Sequence, residues 1–205
     1  DKAMWIAYRF FLFCVSVGLR FWFSIHFEGR ENIPHGGGYI IASNHTSNID
    51  PLLLAMGVPH PINYMGKAEL FQNPILGALF RSIHVIRVER GKGDTGAVEE
   101  CAKLVENDHV LGIFPEGTRY KIGEPGRPKS GMALIAKMTQ ADILPCCVLY
   151  EPGKKFRSKT VVRFGELIPF EELGFETDSP REIKTATKKV WGTILGLMGL
   201  EESHD

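Results

Sequence analysis

The sequence has no net charge: 24 lysines and arginines balance 24 aspartates and glutamates over 205 residues, so no basic field argues for a nucleic-acid partner. Cysteine is scarce, and Cys14, Cys101, Cys146 and Cys147 lack the spacing of a metal site. No HExxH pattern or clustered His/Cys set is present, so the sequence offers no metal centre. No Ser or Cys stands in a G-x-S-x-G elbow, which argues against a covalent enzyme nucleophile of that kind. Internal repeats, low-complexity tracts and interdomain linkers are missing as well, so the length reads as one domain with one well-buried core. A long uncharged apolar run is also missing. In the greasiest stretch, Met4 to Phe27, Arg9 and Arg20 leave only the ten residues from Phe10 to Leu19 free of charge. At ~1.5 Å per residue such a run covers about half of a bilayer core of ~30 Å.

That N-terminal stretch is nevertheless informative. It is crowded with aromatics, among them Trp5, Tyr8, Phe10, Phe11, Phe13, Phe21, Trp22 and Phe23. Lys2, Arg9, Ser16 and Arg20 follow one another at intervals of seven, seven and four residues. At ~100° per residue they share a ~40° sector of a helix. A wide apolar surface with a thin basic stripe predicts a helix lying in a membrane interface, its cations among anionic headgroups. A buried core helix with two snorkelling arginines is the competing reading, and a cleaved signal peptide a third, against which stands the lack of a small-residue cleavage site. Residues 1–22 are therefore expected to form a membrane-associating segment, with one α/β domain over 23–205. The chain opens Asp1-Lys2 without an initiator methionine, which reads as a trimmed end.

Beyond it, strand-like runs are expected at 23–27, 38–43, 62–66, 83–89, 109–114, 143–149 and 160–165, with helices at 51–57, 74–82, 94–107, 130–140 and 180–198. The alternation predicts an α/β fold: a central, largely parallel or mixed sheet flanked by helices, with sites gathered where strand ends meet helix starts. Only ten residues separate 143–149 from 160–165, too few for a crossover helix, so part of the sheet is expected to be antiparallel. Cys146 and Cys147 sit inside the apolar run 143–149, where they suit small buried side chains in a reducing, cytosolic compartment.

Two clusters carry chemistry. In Asn44-His45-Thr46-Ser47-Asn48-Ile49-Asp50 a histidine precedes an aspartate by five positions. Histidine exchanges protons near neutrality, and a carboxylate within reach can fix its tautomer and stabilise its cation. Five residues span ~500° of helix, so pairing requires a turn between them. The bland alternative is that Asp50, before Pro51, only caps a helix. In the second cluster, Val110 to Arg119, an apolar strand runs into Phe114-Pro115-Glu116-Gly117-Thr118-Arg119. Arg119 supplies a planar fork for phosphate, Thr118 a hydroxyl, and the turn its backbone N–H groups. A surface turn with an ion pair would look the same.

Taken together, the NHxxxxD pattern at 44–50 and Phe114-Pro115-Glu116-Gly117-Thr118-Arg119 some 70 residues later closely resemble the glycerolipid acyltransferase family, more narrowly the bacterial 1-acylglycerol-3-phosphate acyltransferases. The approach 28–34, Gly66-Lys67-Ala68-Glu69-Leu70 and Pro145 extend the likeness. In His84-Val85-Ile86-Arg87-Val88-Glu89-Arg90, Arg90 takes the place of the family's arginine, with His84 where glycine is usual and Arg87 as a competitor.

The resemblance implies transfer of a fatty acyl group from an acyl carrier protein or coenzyme A thioester to the sn-2 hydroxyl of lysophosphatidic acid, giving phosphatidic acid. His45 would be the base and Asp50 its orienting partner. Lys67, Arg90 and Arg119 would hold the phosphate, Gly117 and Thr118 would shape the turn beneath it, and Glu116 would hold an arginine or bond the glycerol. No metal or organic cofactor is expected. The partners implied are the lysophospholipid, the thioester donor and the cytoplasmic face of the cell membrane, with the protein peripheral or monotopic. Lys129 and Ser130, at a helix start, are expected to be an exposed cap.

Overall fold

The structure, a computed structural model, describes residues 2–67, 85–88, 95–153, 155–177 and 179–200, with backbone alone for 2–5, 7, 66, 67, 85–88 and 95. Helix α1 (Lys2–Trp22) leads into β1 (Ser24–Glu28), then β2 (Ile40–Ser43), α2 (Asp50–Gly57) and β3 (Ile62–Lys67). After β4 (Val85–Val88) come α3 (Thr95–Glu106), β5 (Val110–Ile113), α4 (Gly131–Thr139), β6 (Ile143–Tyr150), β7 (Lys159–Phe164) and α5 (Pro180–Met198). The expected helix at 74–82 lies outside the described residues. The other elements fall within two residues of their expected bounds.

The strands form one sheet in the order β1-β7-β6-β2-β5-β3-β4. The pairs β6–β2, β2–β5, β5–β3 and β3–β4 are parallel, as is β1–β7. The hairpin β6–β7 alone reverses direction, as its short connection requires. Among the described strands the sheet is therefore mixed, with β6, β2, β5, β3 and β4 running one way and β1 and β7 the other.

Side-chain alternation along these strands builds a core on each face. Ile40, Ala42, Leu111 and Ile113 pack against Cys101, Val105, Met132, Ile135, Val190 and Ile194 of α3, α4 and α5. Tyr39, Ile41, Val110, Leu144 and Cys146 face the other way, toward Leu53 and Leu54 of α2 and Tyr8 and Leu12 of α1. The inner strands β2, β5 and β6 are thus almost wholly buried and largely apolar, as expected for strands covered on both faces. Helix α1 is amphipathic in a double sense. Tyr8 and Leu12 are buried in the core, while Ile6, Phe10, Phe13, Val17 and Phe21 form an exposed apolar stripe on the far side. Arg9, Ser16 and Arg20 lie between the two, lining a groove of about 180 Å³ against Met56 of α2. The buried-helix reading thus describes one flank, and the other leaves an apolar stripe exposed. No helix among the described residues is long and apolar enough to cross a membrane.

Candidate active site

The central parallel strands deliver both chemical clusters to one edge. β2 and β5 are neighbours in register, with Ala42 opposite Ile113, so the chain segments leaving them lie side by side at the carboxyl ends of the strands. In open α/β sheets this edge is where ligands bind. Asn44 secures the first segment. Its side chain donates to the Val148 carbonyl (3.1 Å) and accepts from the Val148 N–H (2.8 Å), locking the exit of β2 against β6.

From that anchor His45 and Asp50 meet. His45 Nδ1 lies 2.9 Å from Asp50 Oδ2. The same oxygen accepts the N–H groups of Thr46 and Ser47, each at 2.7 Å. The other oxygen, Oδ1, accepts the hydroxyl of Tyr150. Asp50 is fully buried, and a buried carboxylate needs such donors. The alternative in which Asp50 only caps its helix does not hold: Ile49 is the N-cap, without a side-chain bond, and Pro51 stands in the first turn. The carboxylate turns back to the preceding loop because His45, Thr46 and Ser47 present three donors to it there. With Nδ1 committed to Asp50, Nε2 is the nitrogen available for proton transfer. The His45 side chain keeps 18% of its surface exposed.

The second cluster holds the histidine in place. Glu116 is 3% exposed, and one of its oxygens accepts the His45 N–H at 2.6 Å while the other accepts the Gly126 N–H at 2.7 Å. The His45 carbonyl in turn accepts the Tyr120 N–H at 2.9 Å. Phe114, at the exit of β5, stacks on the imidazole with ring centres 4.1 Å apart, and Tyr64 stacks behind Phe114. Gly112 makes room for this column: a Cβ there would sit 2.3 Å from the Tyr64 ring. His45 is thus clamped by backbone bonds and backed by aromatic rings, so its orientation is set by the fold.

Burial raises the pKa of Glu116, opposed by the hydrogen bonds from Gly126 and His45. The folded protein therefore binds this proton to higher pH than the unfolded chain does. Stability contributed by Glu116 falls as pH rises from the ordinary value near 4.5 through the raised folded value. Denaturant unfolding across that window is expected to show this decline in the wild type and to lose it in Glu116→Gln. Burial and the neighbouring Asp50 likewise raise the Tyr150 pKa, so Tyr150 keeps its proton and remains a donor to the aspartate.

Arg119 is exposed and donates from Nη1 to the Asn48 side chain, which ties the guanidinium to the His45–Asp50 loop. Gly117 has φ +68°, and a Cβ on it would lie 2.9 Å from Lys129 Nζ. Lys129, expected to be an exposed cap, is exposed and lies over the turn, where it adds a second cation. Thr118 is exposed at the tip.

Lys67 ends β3 at the same edge, its backbone opposite Val88 in register, with its side chain outside the described atoms. Arg87 pairs with Gly66 by backbone alone, and Arg90 lies outside the described residues. Four contributors escaped the sequence reading: Tyr150, Phe114, Tyr120 and Lys129. Tyr150 lies just past the expected strand 143–149, and its bond to Asp50 spans 100 positions, so no local signal marked it. An apolar cavity of about 110 Å³ adjoins the site, lined in part by Thr46, Ile122, Val148, Tyr150, Met198 and Leu200.

Comparison with known proteins matches residues 24–149 to the family model described as Acyltransferase. This stretch contains both clusters. The chain belongs to the acyltransferase family. Among similar members is the 1-acyl-sn-glycerol-3-phosphate acyltransferase of Bacillus subtilis strain 168, 33% identical over 139 residues, which are 67% of this chain and 69% of the relative. The Borreliella burgdorferi protein of the same description is 30% identical over 157 residues, 74% of this chain and 62% of that one. The solved acyltransferase PlsC from Thermotoga maritima superposes with a TM-score of 0.66 at 22% identity, over 87% of this chain and 74% of that one. That likeness shows that this acyltransferase shares the fold.

Proposed function

We propose that this acyltransferase moves a fatty acyl group from an acyl thioester to the sn-2 hydroxyl of 1-acylglycerol-3-phosphate, forming phosphatidic acid at a membrane surface. The observation that carries the reading is His45 Nδ1 held 2.9 Å from a buried Asp50, beside a turn that bears Arg119. The descriptions of the Bacillus and Borreliella relatives support the same acceptor.

In the proposed reaction His45 Nε2 takes the hydroxyl proton as the oxygen attacks the thioester carbonyl. The resulting imidazolium, stabilised by Asp50, returns that proton to the departing thiolate as the carbon–sulfur bond breaks. Alcohol and thioester react directly once aligned, so the step needs no acyl-enzyme and no cofactor. The donor is an acyl carrier protein or coenzyme A thioester, and the apolar cavity beside Thr46 and Tyr150 takes part of a chain. Arg119 and Lys129, with Lys67 and Arg90, supply cations for the phosphomonoester, while Gly117 and Thr118 shape the turn. Glu116 serves by holding the His45 backbone, which also keeps its charge away from the phosphate. The apolar stripe of α1, with Arg9 and Arg20 beside it, rests on an anionic cytoplasmic leaflet.

Arg119→Ala is expected to raise KM for lysophosphatidate about 10- to 100-fold, the worth of a charge-assisted hydrogen bond. Its effect on a monoacylglycerol lacking the phosphate should be small. Steady-state kinetics with the two acceptors checks this. An equal loss on both acceptors would mean that Arg119 does not read the phosphate.

A further inference from the structure

The loop between β6 and β7 carries an unexplained aromatic. Phe156 is 54% exposed, yet its ring is not isolated: its centre lies 5.5 Å from those of both Phe21 and Trp22 at the end of α1. Those two side chains are themselves 68% and 50% exposed. Three large rings therefore touch one another and still face outward, continuing the apolar stripe of α1 onto a second element. The join is rigid. The Arg157 N–H donates to the Trp22 carbonyl at 2.6 Å, and the Ser24 N–H donates to the Ser158 carbonyl at 3.0 Å. Arg157 Nη1 also donates to the Arg20 carbonyl at 3.0 Å. Arg157 adopts the left-handed conformation, φ 62°, which these bonds hold in place.

Positive charge predominates around this surface. α1 contains no Asp or Glu. On the loop, Lys155 is exposed beside Phe156, while the carboxylate of Glu151 is tied to the Lys159 N–H. Apolar rings ringed by cations fit an anionic lipid surface, where aromatics settle at headgroup depth and cations meet phosphates. A water-facing hairpin tip would have no use for such a cluster.

We propose that the β6–β7 loop is a second membrane-inserting element, which carries Phe156 into the interface of an anionic bilayer beside Phe21 and Trp22. The inference rests on the membrane-surface reading of α1 and adds a second point of contact. Two contacts fix orientation where one helix would allow rolling. The loop leaves β6 directly after Tyr150, whose hydroxyl holds Asp50, so insertion places the catalytic edge at the lipid surface.

The test measures sedimentation of the full chain with phosphatidylcholine vesicles containing or lacking phosphatidylglycerol. It adds an environment-sensitive fluorophore on Phe156→Cys in a Cys14→Ser background, the remaining cysteines being buried. Phe156→Ala is expected to lower partitioning onto the anionic vesicles about tenfold, Phe156→Trp to keep it, and Leu134→Ala, exposed on α4, to leave it unchanged. The label should shift to the blue when anionic vesicles are added. If wild-type protein binds, Phe156→Ala binds equally well and the label stays as in water, the loop proposal falls and the α1 reading stands. If wild-type protein fails to bind, the membrane-surface reading falls and takes the loop with it. A blue shift without vesicles that grows with protein concentration would show a second copy covering the face and overturn the proposal.

Discussion

His45→Ala is expected to lower kcat/KM for acyl transfer by about 10²- to 10⁴-fold, the usual range for a positioned general base, with little change in stability. The separation follows from which atoms hold the residue. Its structural bonds run through the backbone, with the N–H donating to Glu116 and the carbonyl accepting from Tyr120, and alanine keeps both. What alanine removes is the imidazole, its stacking on Phe114 and its bond to Asp50. Thermal unfolding should shift by only a few degrees. A large fall in melting temperature would instead make His45 a packing residue whose loss of activity is indirect.

Asp50→Asn is expected to be nearly as damaging to turnover, about 10²- to 10⁴-fold, for a different reason. The aspartate accepts from His45, Thr46 and Ser47 on one oxygen and from Tyr150 on the other. Asparagine can still place its carbonyl toward the loop and its amide toward the Tyr150 hydroxyl, which can accept as well as donate. Geometry is then largely kept, and the cost to stability is about 1–3 kcal/mol for weakened buried hydrogen bonds. The charge that stabilises the imidazolium is gone. If the amide turns the other way, it faces three donors and imposes the wrong histidine tautomer. Either way kcat is expected to fall, while KM for lysophosphatidate, which the proposed reading assigns to the cations of the neighbouring turn, changes little. A rise in KM with kcat intact would place Asp50 in substrate binding.

Much of this was legible in the sequence because it is local. Strand alternation, the Pro51 helix start and the short β6–β7 connection depend on neighbours, and the elements appeared where expected. The His45–Asp50 spacing showed that a turn was required, and the structure supplies one. What escaped reading depends on residues far apart in the chain. A carboxylate in the same turn as Thr118 and Arg119 reads from sequence as a substrate ligand or an arginine partner. Glu116 instead points inward, to the backbone N–H of a histidine 71 positions away. Tyr150 lay just past the expected strand 143–149, and nothing local shows that its hydroxyl reaches Asp50 across 100 positions. Lys129 became part of the site because Gly117, at positive φ, lets its stem lie against the turn. The parallel pairing of β1 with β7 joins strands over a hundred residues apart, which no periodicity encodes.

The central claim is direct transfer, with the histidine acting on the acceptor hydroxyl and on nothing of the enzyme's own. It is tested most directly by following thiol release from an acyl thioester at enzyme concentrations comparable to the thioester, with and without lysophosphatidate. The account predicts release only when the acceptor is present, matched mole for mole by phosphatidic acid and slowed about 10²- to 10⁴-fold in His45→Ala. A burst of thiol equal to the enzyme without acceptor would reveal an acyl-enzyme, and steady release of free fatty acid would reveal a hydrolase; either would contradict it.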